Sequence, residues 1–196
     1  MKNKLFFISL IVISLSSCVT SLYPITENEK DIVFKSEFLG HWKDSDGNSE
    51  YVVNPAGDTS GKYYKVMTLD YHSDRTDTSN FLVALVNLND HYFLDCVPDT
   101  SQNIYSSSNN ASRGFLIPSH LIIKVFSFSN NSINLSAIDN DKLMSLLKSK
   151  KIRIRHEDID SDNILLSEKP VVLQQKLLQL EDFPLVYKRD SIIRVK

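Results

Sequence analysis

The chain has 196 residues, with 22 Lys and Arg against 24 Asp and Glu, a formal charge of −2, and 42% hydrophobic residues. That is enough apolar material for one domain with a sizeable core. The charge balance and the lack of a long basic tract argue against a nucleic-acid footprint, and five glycines leave no phosphate-cradling glycine loop.

The chain opens MKNKLFFISLIVISLSSC. Lys2 and Lys4 form a short basic head, and the apolar run from Leu5 to Leu15 is broken only by Ser9 and Ser14. A membrane-spanning helix takes about 20 apolar residues, so this run has the length of a secretory signal instead. Leu15-Ser16-Ser17-Cys18 resembles the lipobox of bacterial lipoproteins. The resemblance implies that residues 1–17 are a signal peptide and that Cys18 becomes an acylated, palmitate-bearing N-terminus. The protein would then be anchored in the cell envelope, at the outer membrane. Two or three acyl chains hold a protein firmly, whereas one alone binds marginally. No second apolar stretch reaches spanning length, so the lipid on Cys18 is the expected membrane attachment.

Residues 18–31 are polar and include Pro24, and are expected as a lipidated N-terminus and linker reaching about 40 Å if extended. Residues 32–196 are expected as a single β-rich domain beginning at Ile32–Phe34. Asp44 to Asn48 is a turn cluster with Gly47 available for positive φ, which makes its flanks neighbouring strands. Residues 61–71 alternate, with Tyr63, Met67, Leu69 and Tyr71 on one parity, and a polar loop, HSDRTDTSN, follows. Asn80–Leu88 and His91–Val97 read as two strands joined at Asn89-Asp90. Residues 98–114 form a long polar loop, of a length usually functional or mobile.

Strand patterns resume around residues 116–129 and 132–138. Asp139 or Asn140 can cap a helix whose apolar face carries Leu143, Leu146 and Leu147. Lys151–His156 returns to period two, with Ile152 and Ile154 inward and Lys151, Arg153 and Arg155 outward, where charge guards a strand edge. Residues 163–168 give another strand. Ser167 is expected to cap a second helix with Pro170 in its first turn and a buried stripe of Leu173, Leu177 and Leu180. A last strand is expected in Ser191–Val195. Without βαβ alternation there is no case for a doubly wound sheet. The predicted fold is mainly β: antiparallel, closable into a barrel, with two short helices packed on it.

Candidate sites are few. Gly40-His41-Trp42 resembles the Gly-x-Trp opening of lipocalin-like proteins. The resemblance implies a glycine for close backbone packing, a tryptophan plugging the closed end of the barrel, and an arginine near the chain end over the indole. Arg194 is the first choice for that part and Arg189 the second. The apolar strand ending Phe93-Leu94-Asp95, followed by Ile117-Pro118-x-His120, resembles small envelope lipoproteins of Bacteroidetes, and a composition rich in Ser, Asn, Lys and Ile fits a bacterium of low genomic GC content such as one of that group.

With Cys18 lipidated, Cys96 has no disulfide partner and reads as a buried core residue. His41, His72, His91, His120 and His156 show no metal-ligand spacing. Asp158, Asp160 and Asp162 open like a calcium loop, but Asn163 and Lys169 replace the loop's glycine and closing glutamate, so no metal is expected. No Gly-x-Ser-x-Gly elbow is present. No catalytic residue or cofactor is expected. The expected role is non-catalytic binding of a small apolar ligand or an envelope protein. A packed interaction module and a hydrolase with a dispersed site are the alternatives.

Overall fold

In a computed structural model, residues 18–57, 60–99, 119–160, 163–187 and 190–195 are described. The expected signal peptide, most of the 98–114 loop, Ile117, Pro118, Asp162 and Arg189 lie outside them.

The strands are β1 (Cys18–Ser21), β2 (Ile32–Val33), β3 (Gly40–Asp44), β4 (Ser49–Pro55), β5 (Tyr63–Tyr71), β6 (Thr76–Leu88), β7 (His91–Pro98), β8 (His120–Phe128), β9 (Ser132–Ala137), β10 (His156–Asp158), β11 (Asn163–Leu166) and β12 (Asp190–Arg194). Two helices, α1 (Asn140–Lys148) and α2 (Pro170–Leu180), lie between β9 and β12. Strands β3 to β9 form an antiparallel meander, and β12 closes it by pairing with both β3 and β9. The result is a closed, antiparallel, eight-stranded barrel of lipocalin-like architecture carrying two short helices. Closure leaves no free edge within the barrel itself.

Tight turns set the register. Asn89 and Asp90 both have positive φ, 52° and 65°, as a two-residue hairpin matching strand twist requires. The Asn87 carboxamide oxygen accepts from Asp90 N at 2.8 Å. Gly47, φ 72°, turns β3 into β4.

Burial separates into two layers. One fills the barrel, from Phe38 and Trp42 to Val125 and Ile192. The other lies outside, where α1, α2, β1 and β11 cover the outward faces of β6, β7 and β8. This explains the unbroken apolar run in β6: Val83, Ala84, Leu85 and Val86 are all buried because both faces of that strand are covered. Helix α2 presents Leu173, Leu177 and Leu180 to the outer layer, each fully buried.

Four expectations are corrected. Residues 18–31 are no linker. β1 pairs in parallel with β11 and antiparallel with β8, and Val19, Ser21 and Ile25 are buried. The apolar Val19 and Ile25 have wall to pack on, which a reading of local polarity cannot reveal. The polar segment after Tyr71 is only partly loop, since β6 begins at Thr76 and pairs along β5. Ile152 and Ile154 are buried as expected, but residues 151–155 carry no strand; β10 starts at His156. Packing against the outer layer, not a ladder, produces that alternation. Finally, Lys169 occupies the cap position of α2 without a side-chain bond, Pro170 begins the helix, and the buried Ser167 hydroxyl makes no cap. α1 follows expectation: the Asp139 carboxylate accepts from Lys142 N at 2.9 Å.

Candidate functional site

The barrel encloses a cavity of about 360 Å³. Strand alternation assigns its walls: Tyr51 and Val53 of β4, Val66 of β5, Phe81 and Val83 of β6, and Ile133 of β9 are among the apolar and aromatic surfaces. On β5 the inward parity is Tyr64, Val66, Thr68 and Asp70, not the Tyr63–Tyr71 set that stands out by hydropathy. Both parities of β5 are apolar enough to be buried, so the sequence does not distinguish them.

One end of the barrel is shut by aromatic side chains. Phe34 stacks on Tyr64 with ring centroids 4.9 Å apart, and Phe38 packs on Tyr64 and Phe128. The Tyr64 hydroxyl accepts from Lys35 N at 2.6 Å, fastening the entering chain across this floor. Burial, more than anything else, raises the Tyr64 phenol above its ordinary pKa.

Trp42 is fully buried at this end, and its indole N–H donates to Phe38 O at 2.8 Å. The Arg194 guanidinium covers the indole and donates to Leu39 O at 2.8 Å and Glu37 O at 2.9 Å, and also to Asn130 O. Gly40 has φ +123°, and a Cβ there would collide with the Arg194 Nη1. The structure therefore brings Gly40, Trp42 and Arg194 into one closure. Cys18 begins β1, opposite Asn163 of β11, on the outer layer.

The opposite rim is polar. Asp70, Asp190, Thr68 and Ser79 join Tyr51 there, and Asp44 shares the inward parity of Trp42 on β3. The Ser49 hydroxyl donates to Asp70 Oδ1 at 2.7 Å. Burial raises the Tyr51 phenol pKa; its bond with Ser49 opposes this, and Asp44, Asp70 and Asp190 add to the rise. Hydropathy gives no signal for these residues; only their position at strand ends on the inward parity marks them.

Cys96 is buried and lines the cavity. Burial, with Asp95 adding, pushes its thiol well above the ordinary value, so the nucleophilic thiolate is suppressed.

A second, smaller cleft of about 190 Å³ lies on the outer wall, lined by Pro24, Thr26, Tyr63, Asp95 and His120 among others. His120 Nδ1 is 2.5 Å from Asp95 Oδ1, and Ile25 N donates to Asp95 Oδ2 at 2.6 Å. Asp95 and His120, quoted from separate segments of the sequence, thus meet across β7 and β8. The other histidines also lie near carboxylates: His41 by Glu50, His72 by Asp77, His91 by Glu181 and His156 by Asp158.

Among the described residues no group of three His, Cys, Asp or Glu side chains could hold a metal. Asp160 accepts from the Asn163 carboxamide at 2.8 and 2.9 Å, an ordinary turn contact. No family model, curated protein or solved structure matches the chain.

Proposed function

We propose that this chain is a lipid-anchored cell-envelope protein whose barrel binds a small apolar ligand without catalysis. One observation carries the binding reading: a cavity of about 360 Å³ inside a closed barrel, shut by aromatic side chains at one end and rimmed by polar groups at the other. Small-molecule sites are concave, mostly apolar, roughly 300–1,000 Å³, and orient their ligand with a few polar groups. A packed interaction module has no use for such a space. The anchoring reading rests on the LSSC signature at Cys18. With β1 beginning at that cysteine, acylation there holds the barrel close to the bilayer rather than on a long tether.

Two measurements test this. Mass spectrometry of organic extracts of the purified protein should find a bound apolar molecule, lost when Val83→Trp fills the cavity; identical extracts from both proteins would count against the site. Metabolic labelling with a fatty acid should mark the native chain and not Cys18→Ser; persistent label on the variant would remove the anchor.

The hydrolase alternative has one observation in its favour, the Asp95–His120 pair beside the outer cleft. Its recorded bonds are those of a structural tie, with the second Asp95 oxygen engaged by Ile25 N–H. Hydrolysis of ester substrates that vanishes in His120→Ala would support it over the binding reading.

A further inference from the structure

The rim of the cavity makes a narrower statement about its occupant, one that rests on the binding reading above. The site itself is the apolar cavity; the carboxylates at its mouth bear on which head group a ligand can carry. Asp70 and Asp190 line the cavity directly. Asp70 pairs with Ser49 across β4 and β5, Asp190 pairs with Leu135 of β9, and Asp44 pairs with Ile192 of β12, which puts all three at the same end of the inward faces.

Among the described residues the cations that form ion pairs near the rim are held by other carboxylates, Asp77 being the cross-strand neighbour of Asp70, and Lys43, beside Asp44, alternates to the opposite face of β3. Lys65 pairs with Asp99 at 2.9 Å, and Arg75 and His72 both pair with Asp77. Among the described residues no lysine, arginine or histidine lines the cavity, and none forms an ion pair with Asp44, Asp70 or Asp190.

We infer that the barrel selects amphiphiles with an apolar body and a cationic, hydrogen-bond-donating head, and rejects those with an anionic head. The apolar tail fills the cup above Trp42 and Phe38, and the head stays at the rim between Asp70 and Asp190. An ammonium supplies three donors and no acceptor, matching carboxylates that are acceptor-only. A fatty-acid carboxylate in the same place meets like charges beside a low-dielectric wall, where repulsion is stronger than in bulk water. A neutral alcohol of equal length meets neither term and ranks between them.

The test uses the chain from residue 18 on carrying Cys18→Ser, which retains every described strand and helix, and three probes of equal tail length: decylammonium, decanol and decanoate. Calorimetric titration at pH 7 and low ionic strength is expected to give decylammonium the tightest binding, on the order of tenfold or more over decanoate. The gap should narrow as salt is added. In an Asp70→Asn, Asp190→Asn double variant, decanol binding should persist and the gap between the charged probes should close; retained decanol binding shows that the variant is folded. If decanol binds but decanoate binds as well as decylammonium, the charge selection is wrong and the apolar-cavity reading stands. If none of the three binds, both fall. A preference for decylammonium that survives unchanged in the double variant would overturn the assignment to these carboxylates.

Discussion

The guanidinium carbon of Arg194 lies 4.2 Å from the ring centroid of Trp42, although the two residues stand near opposite ends of the chain. β12 pairs with β3 so that Arg194 is opposite Trp42 in register, and the contact therefore forms only when the barrel closes. It seals the end of the cavity opposite the carboxylates. A cation over an indole contributes between about 0.5 kcal/mol when exposed and about 2 kcal/mol when desolvated; Arg194 is partly buried, and its bonds to Leu39 O and Glu37 O hold the backbone leading into β3.

Trp42→Ala is accordingly expected to destabilise the protein by about 3–5 kcal/mol, the cost of truncating a large core aromatic. Arg194→Ala should cost about 2–4 kcal/mol, since it loses the cation–π contact and leaves carbonyls unpaired. Urea denaturation measures both. Trp42 is the only tryptophan, so native emission should be blue-shifted and move red on unfolding. A solvated native spectrum would contradict the burial.

The barrel was legible in the sequence to a useful extent, for reasons visible in particular residues. Turns at Gly47 and at Asn89-Asp90 announced themselves because positive φ restricts residue type. Asp139 announced α1 through its cap. What was not legible depended on contacts between distant segments. Polar residues 18–31 look like a tether until the Asp95 carboxylate and the Gln174 carboxamide are seen holding the Ile25 backbone from two sides. The rim of the cavity was hidden because an aspartate at a strand end reads as loop, and only ring closure gathers Asp44, Asp70 and Asp190. The Gly40–Trp42–Arg194 cluster lies between: a three-residue pattern suggested it, while the register of β12 on β3 produces it.

Asp95 is 7% exposed and ties the N-terminal segment to the barrel through Ile25 N–H. Asp95→Leu is expected to cost about 1–3 kcal/mol or more, because it orphans a buried backbone donor. The local signature is hydrogen exchange. The Ile25 amide should pass from protected to fast exchange, while Trp42 in the barrel floor keeps its protection. An unchanged Ile25 amide would show that the tie carries no stability.

Lys124 lies under the end of α2, 3.1 Å from Glu181 and 4.5 Å from the Phe93 ring centroid, with His91 Nδ1 at 3.2 Å. Burial lowers its pKa, and the Glu181 bond only partly opposes this. Between the lowered folded value and the ordinary unfolded value near 10.4, the unfolded chain holds more protons, so this group makes stability rise with pH in that window. Tyr187, whose phenol is raised by burial, works in the opposite sense above about pH 10. Measured as the difference between native chain and Lys124→Met, the rise should occur below pH 10 and be missing from the variant. Equal slopes in the two proteins would refute the linkage.

Cys96 gives a chemical readout of the same barrel. Its thiol faces the cavity wall from β7, is buried, and has a pKa raised by desolvation with Asp95 adding. Alkylation requires the thiolate. Iodoacetamide at pH 8 should therefore label the native chain only as fast as the barrel opens, and promptly in urea. The raised pKa also fixes a sign. Above the ordinary thiol value near 8.5 the unfolded chain loses a proton that the folded chain keeps, so the Cys96 contribution to stability is complete below that pH and falls above it. Cys96→Ala should remove this fall while costing little at pH 7, since a small side chain beside an existing cavity leaves little additional void. A ligand seated in the cavity should slow labelling further by stabilising the closed form, in proportion to its concentration over its dissociation constant. Rapid native labelling at pH 8, unaffected by ligand, would mean that the cavity wall at Cys96 is open to solvent.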